Sequence, residues 1–162
     1  MAEDDHCDII IDKEGNWFYR GSEMIRLDIV RYFYQHLKED GKGAYYIEID
    51  ADRCPVQVED LPYVIRSVTL RSQPDDETSF FVSLTDGTEE RLDEEPPLRV
   101  GRDNILYGWV GGGRCEARFS RPAYYQLSRY IEYDPAEETY RVKLDHRSIP
   151  ISMEKNGESD AR

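Results

Sequence analysis

Apolar and polar residues alternate along most of the chain. "DIIID" (8–12) reads as a short strand, "KEGN" as a turn and "WFYR" as a returning strand, giving a hairpin that ends at Gly21. The period then changes. In "RLDIVRYFYQHLKEDG", Ile29, Val30, Phe33 and Leu37 make one apolar stripe at helical spacing, with Gly41 as the stop. Ser22 is a candidate N-cap, although the helical signal is stronger from Leu27 onward. "AYYIEID" and "CPVQVED" return to strand alternation, and "LPYVIRSVTLRS" (61–72) is a strand long enough to bend. "SFFVSLTDGTEERL" is the clearest hairpin, with its Asp-Gly between an apolar alternation and a polar return. "LDEEPPLRVG" is an acidic, proline-rich connection.

A second series follows. "LRV" and "NILYGWV" flank the turn "GRDN", "GGG" (111–113) breaks the run, and "EARF" resumes it. Ser120 is an N-cap for "RPAYYQLSRYIEYDP", with Pro122 in the first turn. Tyr124, Leu127 and Ile131 form its stripe, and Asp134-Pro135 its end. "TYRVKLD" and "SIPIS" are two more strands.

The two series resemble each other. "YYIEIDADRCPV" aligns without a gap on "YRVKLDHRSIPI", pairing Tyr45 with Tyr140, Asp50 with Asp145 and Pro55 with Pro150. The preceding helices align as Val30 with Tyr124, Phe33 with Leu127 and Leu37 with Ile131. Upstream, Trp17-x-x-x-Gly21 aligns with Trp109-x-x-x-Gly113. Matches in one order with drifting separation are what a duplicated unit leaves. The expected fold is α+β: two hairpin-helix-hairpin repeats with mainly antiparallel sheets, spanning 8–72 and 98–152. A connecting hairpin and acidic loop (73–97) joins them, and 1–7 and 153–162 are flexible termini.

Composition narrows the function. A net charge of −13 over 162 residues repels phosphate backbones and anionic membranes, so neither nucleic acid nor a membrane is an expected partner. Arginine outnumbers lysine, which favours forked ties to carboxylates and stacking on the twelve tyrosines. Three cysteines (Cys7, Cys54 and Cys115) lack CxxC spacing, and the N-terminus has no apolar signal core. Both features point to a reduced, cytoplasmic protein. His6-Cys7, His36 and His146 have no zinc-ligand spacing, so neither metal nor cofactor is expected.

"GNWFYRGSEMIR", "DIVRYFYQHL" and "PVQVEDLPYVIRSV", with "RCEARFSRPAYYQL" in the second half, resemble an uncharacterised bacterial family of domains of unknown function. The resemblance covers about residues 8–150, and "LDHRSIPIS" departs from the family's more glycine-rich pattern. It implies an α+β fold of two similar structural repeats and a role in signalling or regulation, with no catalytic activity or cofactor attached.

The candidate residues fall into three groups. Adjacent Glu59 and Asp60 offer carboxylates for acid–base chemistry or a cation. As neighbours in an extended chain they face opposite ways, and the alternative is a turn cap with an ion pair to Arg26 or Arg53. "GGGRCEARFSR" offers backbone N–H groups before a helix with Arg114, Arg118 and Arg121, a candidate anion site whose alternative is a glycine-rich bend. Trp17 and Trp109 line a ligand cleft or are equivalent core anchors. Three functions follow. The first is a non-enzymatic regulatory module that binds a small anionic ligand at the junction of the repeats. The second is a protein-interaction or oligomerisation module, and the third an enzyme using Glu59 or Asp60.

Overall fold

The computed structural model describes residues 7–72, 74, 78–145 and 147–153. The fold is α+β and mostly sheet, built as two units. Unit 1 comprises residues 1–64 with Thr85–Gly87, and unit 2 comprises Ile65–Leu84 with 88–162. No helix among the described residues is long and apolar enough to cross a membrane. The expected flexible termini, His6 and His146 fall outside the described residues, except for Cys7 and Met153 at the edges of those tails.

Unit 1 is a six-stranded mixed sheet with one helix. Its strands are β1 (Ile9–Ile11), β2 (Trp17–Tyr19), β3 (Ser22–Glu23), β4 (Leu37–Glu39), β5 (Tyr45–Ile49) and β6 (Asp52–Val58), in the order β3-β2-β1-β6-β5-β4. β1 pairs antiparallel with β2 and parallel with β6, with Ile9 opposite Val56. A strand flanked on both sides buries its alternate residues, and Ile9 and Ile11 are core. The helix α1 (Leu27–Gln35) packs Val30 and Tyr34 into that core beside Trp17, Ile47 and Val56. Trp17 is fully buried, edge-on to Tyr34 at 4.9 Å between ring centroids. The Tyr34 hydroxyl donates to Pro62 O at 2.7 Å and lies 2.8 Å from Thr85 Oγ1, which also accepts Val64 N–H at 3.1 Å.

Unit 2 is a nine-stranded mixed sheet with a second helix. Its strands are β7 (Val64–Ser72, whose first residue belongs to unit 1), β8 (Thr78–Leu84), β9 (Glu89–Arg91), β10 (Leu98–Val100), β11 (Leu106–Val110), β12 (Cys115–Phe119), β13 (Ile131–Asp134), β14 (Thr139–Leu144) and β15 (Arg147–Met153). Their order is β13-β14-β15-β10-β11-β12-β7-β8-β9. The scheme of unit 1 recurs: β10 pairs antiparallel with β11 and parallel with β15, and β15, β14 and β13 follow antiparallel. The sheet curls, so that Arg147 on β15 donates to Thr78 O and to Ser79 Oγ on β8 (2.8 Å for the latter), five places away in strand order. The helix α2 (Arg121–Ser128) buries Ala123 and Leu127.

Both helices are shorter than their sequence patterns. α1 ends at Gln35 and not at Gly41, because Leu37 leaves the helix to pair with Ile47. α2 ends at Ser128, and Ile131 pairs with Val142. A final helical turn satisfies few backbone groups, whereas a strand beside an existing hairpin satisfies a ladder. The stripes shift accordingly. Ile29 and Tyr124 are exposed, and Tyr34 and Ala123 take the buried positions. Ser22 belongs to β3 and not to a cap, while Ser120 caps α2 by accepting Ala123 N–H at 3.3 Å.

The aligned aspartates and prolines occupy matching places. Asp50 and Asp145 adopt left-handed backbone (φ 56° and 55°) in two-residue hairpin loops. Pro55 and Pro150 also share a place. Each sits mid-strand, one residue before the first parallel pair (Ile9 with Val56, Leu98 with Ile151), so a missing N–H removes no bond from that ladder. Trp17 and Trp109 do not correspond, since Trp17 is core and Trp109 is half-buried.

The three cysteines are not all thiols. Cys7 and Cys54 form a disulfide with their Cα atoms 5.3 Å apart, and Cys115 takes no part in one. The expectation of three reduced thiols fails because the parallel pairing of β1 with β6 carries residue 7 opposite residue 54, a neighbour relation that no local spacing encodes.

Gly108 on β11 makes the closest packing demand of unit 2. A Cβ there would lie 2.9 Å from Phe119 Cε1 and 3.1 Å from Leu98 Cδ2. Gly108→Ala is expected to lower stability by ~1–3 kcal/mol through overpacking. Ser120→Ala is expected to cost ~1 kcal/mol through loss of the cap. Urea denaturation read by circular dichroism measures both.

Candidate binding face

Strand alternation sorts the residues of β10, β11 and β12 onto two faces. Leu98, Gly108, Ala117 and Phe119 are buried on one. Arg99, Tyr107, Trp109, Glu116 and Arg118 share the other, since Arg99 is opposite Tyr107, Tyr107 opposite Arg118 and Trp109 opposite Glu116. Arg99 forks onto Glu116, with Nε 2.8 Å and Nη2 3.0 Å from the two carboxylate oxygens, and its guanidinium carbon lies 4.3 Å from the Tyr107 ring centroid. That bidentate pair holds one guanidinium over an aromatic ring and fixes the orientation of both partners. Trp109 and Arg118 are diagonal neighbours on the same face, Trp109 opposite Glu116 and Arg118 opposite Tyr107.

Two residues expected at a site therefore come together here, Trp109 and Arg118. Arg99, Tyr107 and Glu116 were not singled out by sequence reasoning. The signal available was the spacing of Tyr107 and Trp109 in "LYGWV" and of Glu116 and Arg118 in "EARF", two residues apart on strands one turn from each other.

The glycine-rich turn holds a carboxylate already. Gly111, Gly112 and Gly113 all adopt positive φ, which only glycine takes without strain in succession. Gly111 N–H donates to both oxygens of Glu90 on β9, at 2.9 and 3.1 Å. Arg114 Nε donates back to Gly111 O at 2.8 Å. The one backbone N–H of this turn seen on a carboxylate is therefore taken by the protein's own Glu90. Arg121 is exposed at the first position of α2, so the three arginines of this segment stand on a turn, a sheet face and a helix start.

In unit 1, Glu59 closes a turn. Its N–H donates to Ile11 O at 3.0 Å and its Oε1 accepts Lys13 N–H at 3.1 Å. The arginines expected to pair with Glu59 or Asp60 go elsewhere. Arg26 forks onto Asp28 (Nη2 to Oδ2, 2.7 Å), and Arg53 reaches Glu48 at 3.4 Å while lying over the Tyr46 ring. Local sequence decides both: Asp28 is two residues from Arg26, and hairpin register places Glu48 opposite Arg53. Trp17 is a core anchor whose Nε1 has no hydrogen-bond partner among the described residues.

These exposed pairs set a pH dependence. Hydrogen bonds from Lys38 and then Arg53 hold the Glu48 carboxyl below its ordinary value, and Arg26 does the same for Asp28. A carboxyl with a lowered folded-state pKa stabilises above its unfolded value of ~4.3, and that contribution is lost as pH falls through the folded value. Glu48→Gln is accordingly expected to make the fall in Tm between pH ~5 and ~3 shallower than in the parent protein, measured by calorimetry across that range.

Residues 2–61 match the family described as the domain of unknown function DUF1285, N-terminal domain. Two solved structures share the fold. A DUF1285 family protein from Silicibacter pomeroyi DSS-3 aligns over 94% of this chain and 82% of its own, at 22% identity and a TM-score of 0.72. A DUF1285 family protein from Shewanella baltica OS155 aligns over 75% of this chain and 91% of its own, at 25% identity and a TM-score of 0.57. No curated protein matches.

Proposed function

We propose that this chain, which carries a DUF1285 N-terminal domain, is a non-enzymatic regulatory module that reads a small anionic ligand on the β10–β11–β12 face of unit 2. The observation that carries this reading is the convergence of Arg118, Tyr107 and Trp109 on one face, with Arg99 locked beside them by Glu116. A guanidinium beside aromatic rings suits a planar or phosphorylated anion. The cytoplasm, where such metabolites are abundant, is the proposed location.

Titration of intrinsic fluorescence tests it. A panel of nucleotides and carboxylate metabolites is expected to include a ligand that changes Trp109 emission and raises Tm. Arg118→Ala should weaken that ligand at least ~10-fold, the scale of one charge-assisted contact. Trp17→Phe should retain the signal and Trp109→Phe abolish it. An emission change that survives Trp109→Phe and Arg118→Ala would place the ligand elsewhere.

A second reading rests on a separate observation. Tyr133 on the edge strand β13 and Tyr140 on β14 are exposed and stack edge-on at 5.1 Å between centroids. An aromatic pair beside an unflanked strand suits a protein partner or a second copy. Light scattering tests self-association. A dimer that Tyr133→Lys converts to monomer supports this reading, and a monomer at every concentration opposes a second copy.

A further inference from the structure

We infer that Cys7 and Cys54 are a thiol–disulfide exchange site, at which a small-molecule disulfide latches the chain entering β1 onto β6. Three observations carry this. The parallel register places residues 47 apart opposite one another, Ile9 with Val56 and Ile11 with Val58, and Cys7 and Cys54 are separated by the same 47 with Cα atoms 5.3 Å apart. That spacing lies within the range a disulfide spans without backbone movement. Both cysteines are half-buried: Cys54 packs at the margin of the unit 1 core, so a small thiol can reach the pair. The fold around them is also held without the bond. Ile9 and Ile11 are buried, β1 is laddered on both sides, and Asp8 O accepts Arg20 N–H at 2.8 Å. Making or breaking the bond therefore acts locally at the start of β1, leaving the rest of the sheet in place.

The chemistry balances. One cysteine thiolate attacks a sulfur of a small-molecule disulfide such as oxidised glutathione, forming a mixed disulfide and releasing one small thiolate. The second cysteine thiolate then displaces the other small thiolate as the protein S–S bond forms. Two protein thiols lose two protons and two electrons, and one small disulfide becomes two thiols. Cys115, on β12 in unit 2, lies outside the disulfide and provides an internal count.

The full chain is equilibrated under nitrogen across ratios of oxidised to reduced glutathione, quenched with an alkylating reagent and weighed intact. The expected result is one alkylated thiol at the oxidising end and three at the reducing end, with superimposable circular dichroism. Amide exchange at Asp8–Ile10 should quicken by about tenfold on reduction while β5 is unchanged. Single variants Cys7→Ser and Cys54→Ser should each leave a cysteine that takes up glutathione. Three thiols at every ratio, one thiol at every ratio, or no adduct on either variant would each overturn the inference. Unfolding of unit 1 on reduction would also overturn it, since the bond would then be a structural staple. None of these readouts depends on ligand binding by unit 2.

Discussion

A parallel pairing, of β1 with β6 in unit 1 and of β10 with β15 in unit 2, is the contact on which the rest depends. In unit 1 it joins Ile9 to Val56, and in unit 2 Leu98 to Ile151. Parallel neighbours cannot be linked by a tight turn, so the chain between them must leave the sheet and come back. Here it does so with a hairpin partner, a short helix and an edge strand before the closing hairpin. The helix has a face to cover because the first strand, laddered on both sides, presents its isoleucines to it. The mid-strand prolines are tolerated because they fall just before this pairing begins, and the disulfide exists because of its register. Hairpins, helices and bridge are consequences of one long-range ladder.

Local patterns made most elements legible and the long-range ladder was not among them. Tyr45–Ile49 and Thr139–Leu144 read as strands from alternation alone, and the Asp-Gly of the β8–β9 hairpin from turn chemistry. Ser120 read as a cap because an N-cap needs only its own side chain and the next three residues. The helix ends were misread in both units for one reason. Leu37 and Ile131 continue a helical stripe, but each meets a hairpin that offers it a place in a sheet. Periodicity over eight residues cannot weigh a partner ten residues further on.

The polar constellations divide the same way. Adjacent charges found each other as proximity dictates, Arg26 with Asp28 and, across a hairpin, Arg53 with Glu48. The glycine run reads equally as a bend or a candidate anion site, and Glu90, which meets Gly111 N–H, comes from a strand some twenty residues earlier. The face carrying Arg99, Tyr107, Trp109, Glu116 and Arg118 depends on three strands in register. Its members are individually ordinary residues, and only the pairing of Arg99 with Glu116 over Tyr107 makes them a surface.

Thr85 gives the two units an unequal claim to independence. Its hydroxyl meets the buried Tyr34 hydroxyl and takes the N–H of Val64, yet it reaches unit 1 only after the chain has laid down two strands of unit 2. A gene fragment ending at residue 64, or at the limit of the family match at residue 61, would encode every strand and the helix of the first sheet. It would still leave a tyrosine hydroxyl in a core with a hydrogen-bond partner missing, a loss that small domains bear poorly. The molecule is modular in pattern without being divisible in sequence, and an insertion or recombination event that respects the pattern would have to carry residues 85–87 with it.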